Sequence, residues 1–223
     1  MGEQHPERRL GMDVTSVRRE HRSRPLRRND LAEDPLQQFQ LWFSQARDSS
    51  LLEPNAMSLA TVDDDGRPAL RTVLLKYFDD RGFVFFTNLG SNKAAQIAAN
   101  PHVALLFYWS PFDHQVVVRG RADRLPTPEV LRYFLTRPRG SQIGAWVSDQ
   151  SRAISSRSLL AAKFDEMKRK FAEGEVPLPD FWGGFRVTPV EVEFWQGQPN
   201  RLHDRFLYRR QGDASWAIER LQP

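Results

Sequence analysis

Phe194-Trp195-Gln196-Gly197-Gln198-Pro199-Asn200-Arg201-Leu202-His203-Asp204-Arg205 separates two strand-like runs, and its reading decides the fold. The first run, Phe185 to Trp195, ends in two aromatics. Gly197, Pro199 and Asn200 then supply turn chemistry in one short window. Arg201 to Arg209 reads as a second strand. Side chains at i, i+2 and i+4 of a strand share a face. Arg201, His203 and Arg205 are therefore expected side by side, close to Trp195. Like charges so placed repel unless an anion lies over them. A planar aromatic beside fixed donors suits a planar, anionic ligand. A solvated outer face of an edge strand accounts for the same pattern.

Upstream, Met57–Val62, Arg71–Lys76, Phe83–Thr87, Val103–Trp109 and Gln115–Arg124 also read as strands, several joined by short turns such as Asp63-Asp64-Asp65-Gly66. Those aspartates lack the spaced ligands and distal Glu of a calcium loop. Helices are expected after Asp34-Pro35, Ser91, Thr127-Pro128 and Ser155 or Ser156. With a last strand from Trp216 to Leu221, the pattern predicts a mainly β protein: an antiparallel barrel with peripheral helices. Residues 1–30 read as a flexible basic arm, and 31–223 as one barrel domain.

Composition narrows the function. The chain of 223 residues has no cysteine, which excludes disulfides and thiolate metal sites. No apolar run approaches the ~20 residues of a membrane helix, and no secretory leader is legible, so a cytoplasmic protein is expected. Residues 1–30 carry eight arginines against five acids, whereas the remainder holds 24 basic and 23 acidic residues. So balanced a body is not a nucleic-acid binder.

No Ser-His-Asp order, metal cluster or carboxylate pair stands out. Anion-binding equipment does. Arg71, Ser91 and Lys93 form one set, with the N–H groups of a helix start available to a phosphate; ordinary capping explains Ser91 equally well. Lys76, Tyr133, Arg137 and Ser141 form another, all good phosphate donors, though surface decoration explains them too. Two phosphorylated ligands bound together would use both sets.

Arg71-Thr72-Val73-Leu74-Leu75-Lys76, Phe86-Thr87-Asn88, Arg137-Pro138-Arg139-Gly140-Ser141-Gln142-Ile143-Gly144-Ala145-Trp146, Phe181-Trp182-Gly183-Gly184 and Glu193-Phe194-Trp195-Gln196-Gly197 with Arg201-Leu202-His203-Asp204-Arg205 closely resemble the pyridoxine (pyridoxamine) 5′-phosphate oxidase family, from about Arg18 to Pro223. The resemblance implies an FMN-binding split β-barrel and a homodimer with FMN at the subunit interface. It implies oxidation of pyridoxine or pyridoxamine 5′-phosphate to pyridoxal 5′-phosphate, with O2 as acceptor, H2O2 as product, and ammonia from the amine.

Carried over by position, Arg71, Thr72, Val73, Leu74, Leu75, Lys76, Phe86, Thr87, Asn92, Lys93, Gln115, Gln150 and Ser151 match FMN contacts. Trp195 and Arg205 match contacts from the second subunit. Lys76, Tyr133, Arg137 and Ser141 match a substrate-phosphate clamp. Arg201, Leu202 and His203 match the region holding the pyridine ring, Arg201 and His203 being the catalytic candidates. Arg18, Arg19, Glu20 and His21 match an arm segment over the site. Three positions depart: Asn92 replaces a usual Arg, His21 a usual Tyr, and Phe86 a frequent Tyr. A flavin reductase of the same fold, or a non-catalytic flavin or pyridoxal-phosphate carrier, is the alternative.

Overall fold

The computed structural model describes residues 14–16, 20–21 and 23–223; Arg18 and Arg19 lie outside them. Among the described residues, nine strands form one antiparallel sheet. β1 (Ala56–Val62), β2 (Pro68–Leu74), β3 (Tyr77–Asp79), β4 (Gly82–Asn88), β5 (His102–Trp109) and β6 (His114–Arg124) come first. The long β7 (Trp182–Gln196), then β8 (Asp204–Arg210) and β9 (Trp216–Leu221) complete it. The order is β2-β1-β5-β6-β7-β4-β3, with β8 also on β7 and β9 on β8.

The sheet forks at β7. Its first half pairs with β4 from Trp182 to Val187, and its second half with β8 from Glu191 to Gln196. Between the halves, Pro189 has no N–H to give, and the register against β6 shifts between Arg119 and Gly120. A Cβ on Gly120 would stand 2.3 Å from the Thr188 carbonyl oxygen, so the bulge requires glycine there.

Helix α1 (Pro35–Arg47) packs its apolar face, Leu36, Phe39, Trp42 and Ala46, into the main core. Asp34 caps it as expected, accepting from the N–H groups of Leu36 and Gln37 at 2.7 and 3.1 Å. Phe39, fully buried, meets the rings of Phe78, Phe83 and Phe107, each at 4.9 Å. Phe39→Ala would cost about 3–5 kcal/mol. α2 (Asn92–Ala99) follows β4, and α3 (Thr127–Thr136), α4 (Arg139–Val147) and α5 (Arg157–Lys170) lie between β6 and β7. Phe134, Ile143, Phe171, Val84 and Trp182 belong to a second core cluster beneath these last helices. Part of the predicted arm is docked: Leu26 is buried, and its N–H donates to Asp204 Oδ2 at 2.9 Å.

The comb expected from Arg201 to Arg205 does not form. Pro199–Arg201 is a 3-10 turn, with Asn200 and Arg201 left-handed at φ 57° and 62°, and β8 starts only at Asp204. Turn chemistry extends further than the strand periodicity assumed. Of the three cations or near-cations, only Arg205 stands on a strand. Ser91 occupies the N-cap of α2 without a capping side-chain bond.

Candidate active site

A cleft of about 640 Å³ opens where β2, β4 and β7 meet α3 and α4. Of the predicted residues, Thr72, Val73, Leu74, Lys76, Phe86, Thr87, Lys93, Tyr133, Arg137, Ser141 and Gln150 line it. The sequence reading missed Trp182 as a lining residue, although it lay within a quoted motif. Its ring stacks on Phe86 at 5.2 Å, and Phe86 stacks on Tyr133 at 4.0 Å, giving the cleft a flat aromatic wall. Gly184 permits this approach, because a Cβ there would lie 2.7 Å from Phe86 Cδ1.

One group of cations gathers at the start of α2. Lys93 is buried, and its ammonium donates to Gln150 Oε1 at 2.7 Å and Thr87 Oγ1 at 3.1 Å. Arg71 lies off the cleft lining and donates to Thr61 Oγ1 at 2.5 Å and Gln96 Oε1 at 2.9 Å. Burial and then the charge of Arg71 lower the pKa of Lys93, and burial lowers that of Arg71. Ser151, left-handed at φ 73°, accepts the Asn92 N–H at 3.2 Å and so closes the first turn of α2.

The second group is Lys76 and Arg137. The Arg137 guanidinium lies over Trp182, 4.7 Å from the ring centroid. Burial and then Arg137 lower the pKa of Lys76, partly opposed by Glu53. Burial lowers Arg137, partly opposed by Tyr133. Arg137 Nη1 is buried with no hydrogen-bond partner. Arg137 stands just past the end of α3, and Ser141 in the first turn of α4, a helix the sequence reading missed.

Each group thus holds two mutually repelling cations. No carboxylate contributes to the shifts of Arg71, Lys93 or Arg137. An orphaned guanidinium N–H, neutral hydrogen-bond partners and a flat aromatic wall fit a phosphorylated, ring-bearing group.

The remaining predicted residues lie elsewhere. Leu75 is buried in the core, and Asn92 is exposed. Gln115, Trp195 and Arg205 sit opposite one another on β6, β7 and β8. Arg205 donates to Glu193 Oε1 at 2.7 Å and to the Gln222 carbonyl at 2.9 Å. The His203 ring lies 4.6 Å from Trp195, and its Nδ1 accepts the Gln198 N–H at 3.0 Å. Burial, then His21 and Arg201, lower the His203 pKa, with Asp113 opposing. His21 sits edge-on to both Trp195 and His203, with Nδ1 2.8 Å from Asp113 Oδ1. Glu20, Arg201 and Leu202 are exposed. None of this second constellation lines the cleft.

Among the described residues there is no cluster of metal-ligating side chains, and no helix is long and apolar enough to cross a membrane.

Comparison with known proteins gives a consistent answer. The family model described as pyridoxamine 5′-phosphate oxidase matches residues 43–171. A second, the pyridoxine 5′-phosphate oxidase C-terminal dimerisation region, matches residues 182–223. A pyridoxine/pyridoxamine 5′-phosphate oxidase from Rippkaea orientalis is 62% identical over 95% of this chain and 100% of its own. One of the same name from Serratia proteamaculans is 59% identical over 95% of this chain and 97% of its own. Among solved structures, PhzG from Burkholderia lata, in complex with tetrahydrophenazine-1-carboxylic acid, superposes with a TM-score of 0.84 at 29% identity, over 90% of this chain and 99% of its own. A pyridoxamine 5′-phosphate oxidase-related, FMN binding protein from Nostoc punctiforme shares the fold at TM-score 0.71 and 19% identity, covering 86% of this chain and 100% of its own. The split β-barrel is thereby shown, and the dimerisation region supports a homodimer. The chain belongs to the pyridoxine/pyridoxamine 5′-phosphate oxidase family of enzymes.

Proposed function

We propose that the protein binds FMN in the cleft and oxidises pyridoxine 5′-phosphate and pyridoxamine 5′-phosphate to pyridoxal 5′-phosphate. The observation that carries this reading is the pair of mutually repelling cation groups in and beside one cleft with an aromatic wall, three of the four cations taking no contribution from a carboxylate. Lys93 and Arg71, with the first turn of α2, are suited to the FMN phosphate. Thr72 to Lys76, Phe86 and Thr87 would lie along the flavin ring, and Gln150 and Ser151 would close over it. Lys76, Tyr133, Arg137 and Ser141 would take the substrate phosphate. The orphaned Nη1 of Arg137 offers a donor that a phosphate oxygen would satisfy.

When bound, FMN supplies a two-electron acceptor that O2 reoxidises, giving H2O2. The protein's share is orientation and charge. Clamping the substrate's phosphate fixes its C4′ against the ring, converting an encounter into a positioned reaction. In a homodimer with the cleft at the subunit boundary, Gln115, Trp195 and Arg205 would complete the flavin site from the other protomer. Arg201, Leu202 and His203 would lie over the pyridine ring. The exposure of Arg201 and Leu202 in the single chain supports a contact made across that boundary. His203 is cast as an orienting hydrogen-bond partner, and Arg201 as a cation stabilising negative charge that develops on reduction. His21 and Glu20, with Arg18 and Arg19, would cover the bound substrate.

The test is anaerobic. Protein reconstituted with FMN should lose its flavin colour on addition of pyridoxine 5′-phosphate and keep it on addition of NADH. Bleaching by NADH alone would make the protein a flavin reductase and overturn the proposal.

A further inference from the structure

Behind Tyr133 lies a half-buried polar network, on the wall of a second cleft, that the proposed chemistry does not use. Arg186 stands in the first half of β7, opposite Val84 of β4, and is only 9% exposed. One of its guanidinium nitrogens donates to Asp79 of β3, and the other to Glu129 Oε1 of α3 at 2.8 Å. The Tyr77 hydroxyl donates to the same Glu129 oxygen, and the Arg186 guanidinium lies 5.7 Å from the Tyr77 ring centroid. Arg81 holds the other Asp79 oxygen at 2.7 Å. Burial pushes Glu129 up, but the Tyr77 hydroxyl and Arg186 outweigh it and keep the carboxylate ionised. Burial, then Glu129, pushes Tyr77 up to about 12, so the phenol keeps its proton.

Tyr77 and Glu129 adjoin members of the anion clamp in the chain, and Arg186 adjoins the ring that carries one. Tyr77 follows Lys76 in the chain. Glu129 precedes Tyr133 by one helical turn, and Tyr133 precedes Arg137 by four residues. Trp182, which carries the Arg137 guanidinium, shares a strand face with Arg186. β3 is a three-residue edge strand, paired among the described residues with β4 alone; Phe78 ties one of its faces to Phe39 and Phe83, and Tyr77 and Asp79 hold the other to the network. Stability is a weak reason to bury an arginine between two carboxylates, since apolar packing does as well or better. A two-armed fork, by contrast, fixes direction as well as distance.

We propose that Arg186 is a positioning residue: through Glu129 and Tyr77 it sets the spacing of Lys76, Tyr133 and Arg137, and so the selectivity of the cleft for a phosphate monoester. The inference rests on the reading of the cleft given above. Its test uses FMN-loaded wild type, Glu129→Gln and Arg186→Lys, titrated with pyridoxal 5′-phosphate and with unphosphorylated pyridoxal. Flavin affinity, thermal midpoint, KM and kcat are measured alongside. Glu129→Gln keeps the shape and removes the charge; Arg186→Lys keeps the charge and removes the fork. In both, Kd for pyridoxal 5′-phosphate and KM for pyridoxine 5′-phosphate should rise about tenfold, the scale of a small misplacement of a binding group. Pyridoxal affinity and flavin affinity should stay within about twofold, because no atom that touches the rings is altered, whereas kcat with the phosphorylated substrate should fall as the clamp loosens. If Arg186→Lys does not fold, Glu129→Gln decides the matter. Variants that lose both ligands equally, or that fall in thermal midpoint while keeping the phosphate preference, overturn the positioning role. A wild type that binds pyridoxal as tightly as its phosphate overturns the reading of the cleft itself.

Discussion

Arg137→Met removes the charge of the clamp's guanidinium while keeping an apolar stem against Trp182. In the folded chain Arg137 Nη1 is buried without an acceptor, and among the described residues the ionisable groups acting on its charge are the Tyr133 phenol and Lys76, a like charge. Binding a phosphate converts that orphan into a charge-assisted hydrogen bond, which contributes about 1.5–3 kcal/mol. At 1.4 kcal/mol per decade, the variant should bind pyridoxal 5′-phosphate about 10- to 100-fold more weakly. Unphosphorylated pyridoxal should bind as before. Without ligand, two effects offset. Losing the cation over Trp182 costs about 0.5–2 kcal/mol. Removing a half-buried charge that repels Lys76 and leaves one N–H unpaired returns a similar amount. The thermal midpoint of the unliganded protein should therefore move little. Equilibrium titration of both ligands, with a melt of the free protein, decides it. An unchanged Kd for the phosphate, or equal weakening of both ligands, would refute the assignment of Arg137 as a phosphate ligand.

Three more outcomes are expected. Arg201→Ala should lower turnover far more than FMN content; unchanged steady-state kinetics would remove Arg201 from the site. Asn92→Arg, at the exposed first position of α2, restores the family's usual cation beside the proposed FMN phosphate and should tighten FMN by about two- to fivefold, the scale of an exposed ion pair; flavin titration showing equal or weaker binding would remove this position from the phosphate site. His114 is stacked on Trp42 at 3.7 Å, and burial holds its pKa down at about 4. The unfolded chain takes up that proton near pH 6.5 and the folded chain does not. Stability is thus fully present above pH 6.5 and falls by about 3 kcal/mol as pH drops towards 4. His114→Phe should flatten the thermal midpoint across that window, and an unaltered pH profile would remove His114 as the cause.

What the sequence made legible was local. Asp34-Pro35 announces α1 because the capping bonds lie within three residues. Asp63 to Gly66 announces a turn because Gly66 adopts φ 79° and the Asp63 carboxylate accepts the N–H groups of Asp65 and Arg67. The cleft was legible through residue types: eleven of the expected residues line it because phosphate donors are recognisable one at a time. What was lost depends on distant pairing or on backbone detail. The fork of the sheet at β7 needs partners about 100 residues away in β4. α4 was missed because Pro138, Gly140 and Gly144 mask its short apolar stripe. The basic comb failed because two consecutive left-handed residues broke the assumed strand. Arg186 drew no attention because its partners, Asp79 and Glu129, lie 107 and 57 residues away.

The central claim is that one cleft holds a redox-active flavin phosphate and a phosphorylated vitamer together. Oxygen uptake by the FMN-loaded protein, measured with pyridoxine 5′-phosphate and with pyridoxamine 5′-phosphate, tests it most directly. The account predicts O2 consumption matched mole for mole by pyridoxal 5′-phosphate. Flavin retained at full occupancy with no oxygen consumed on either vitamer would contradict it.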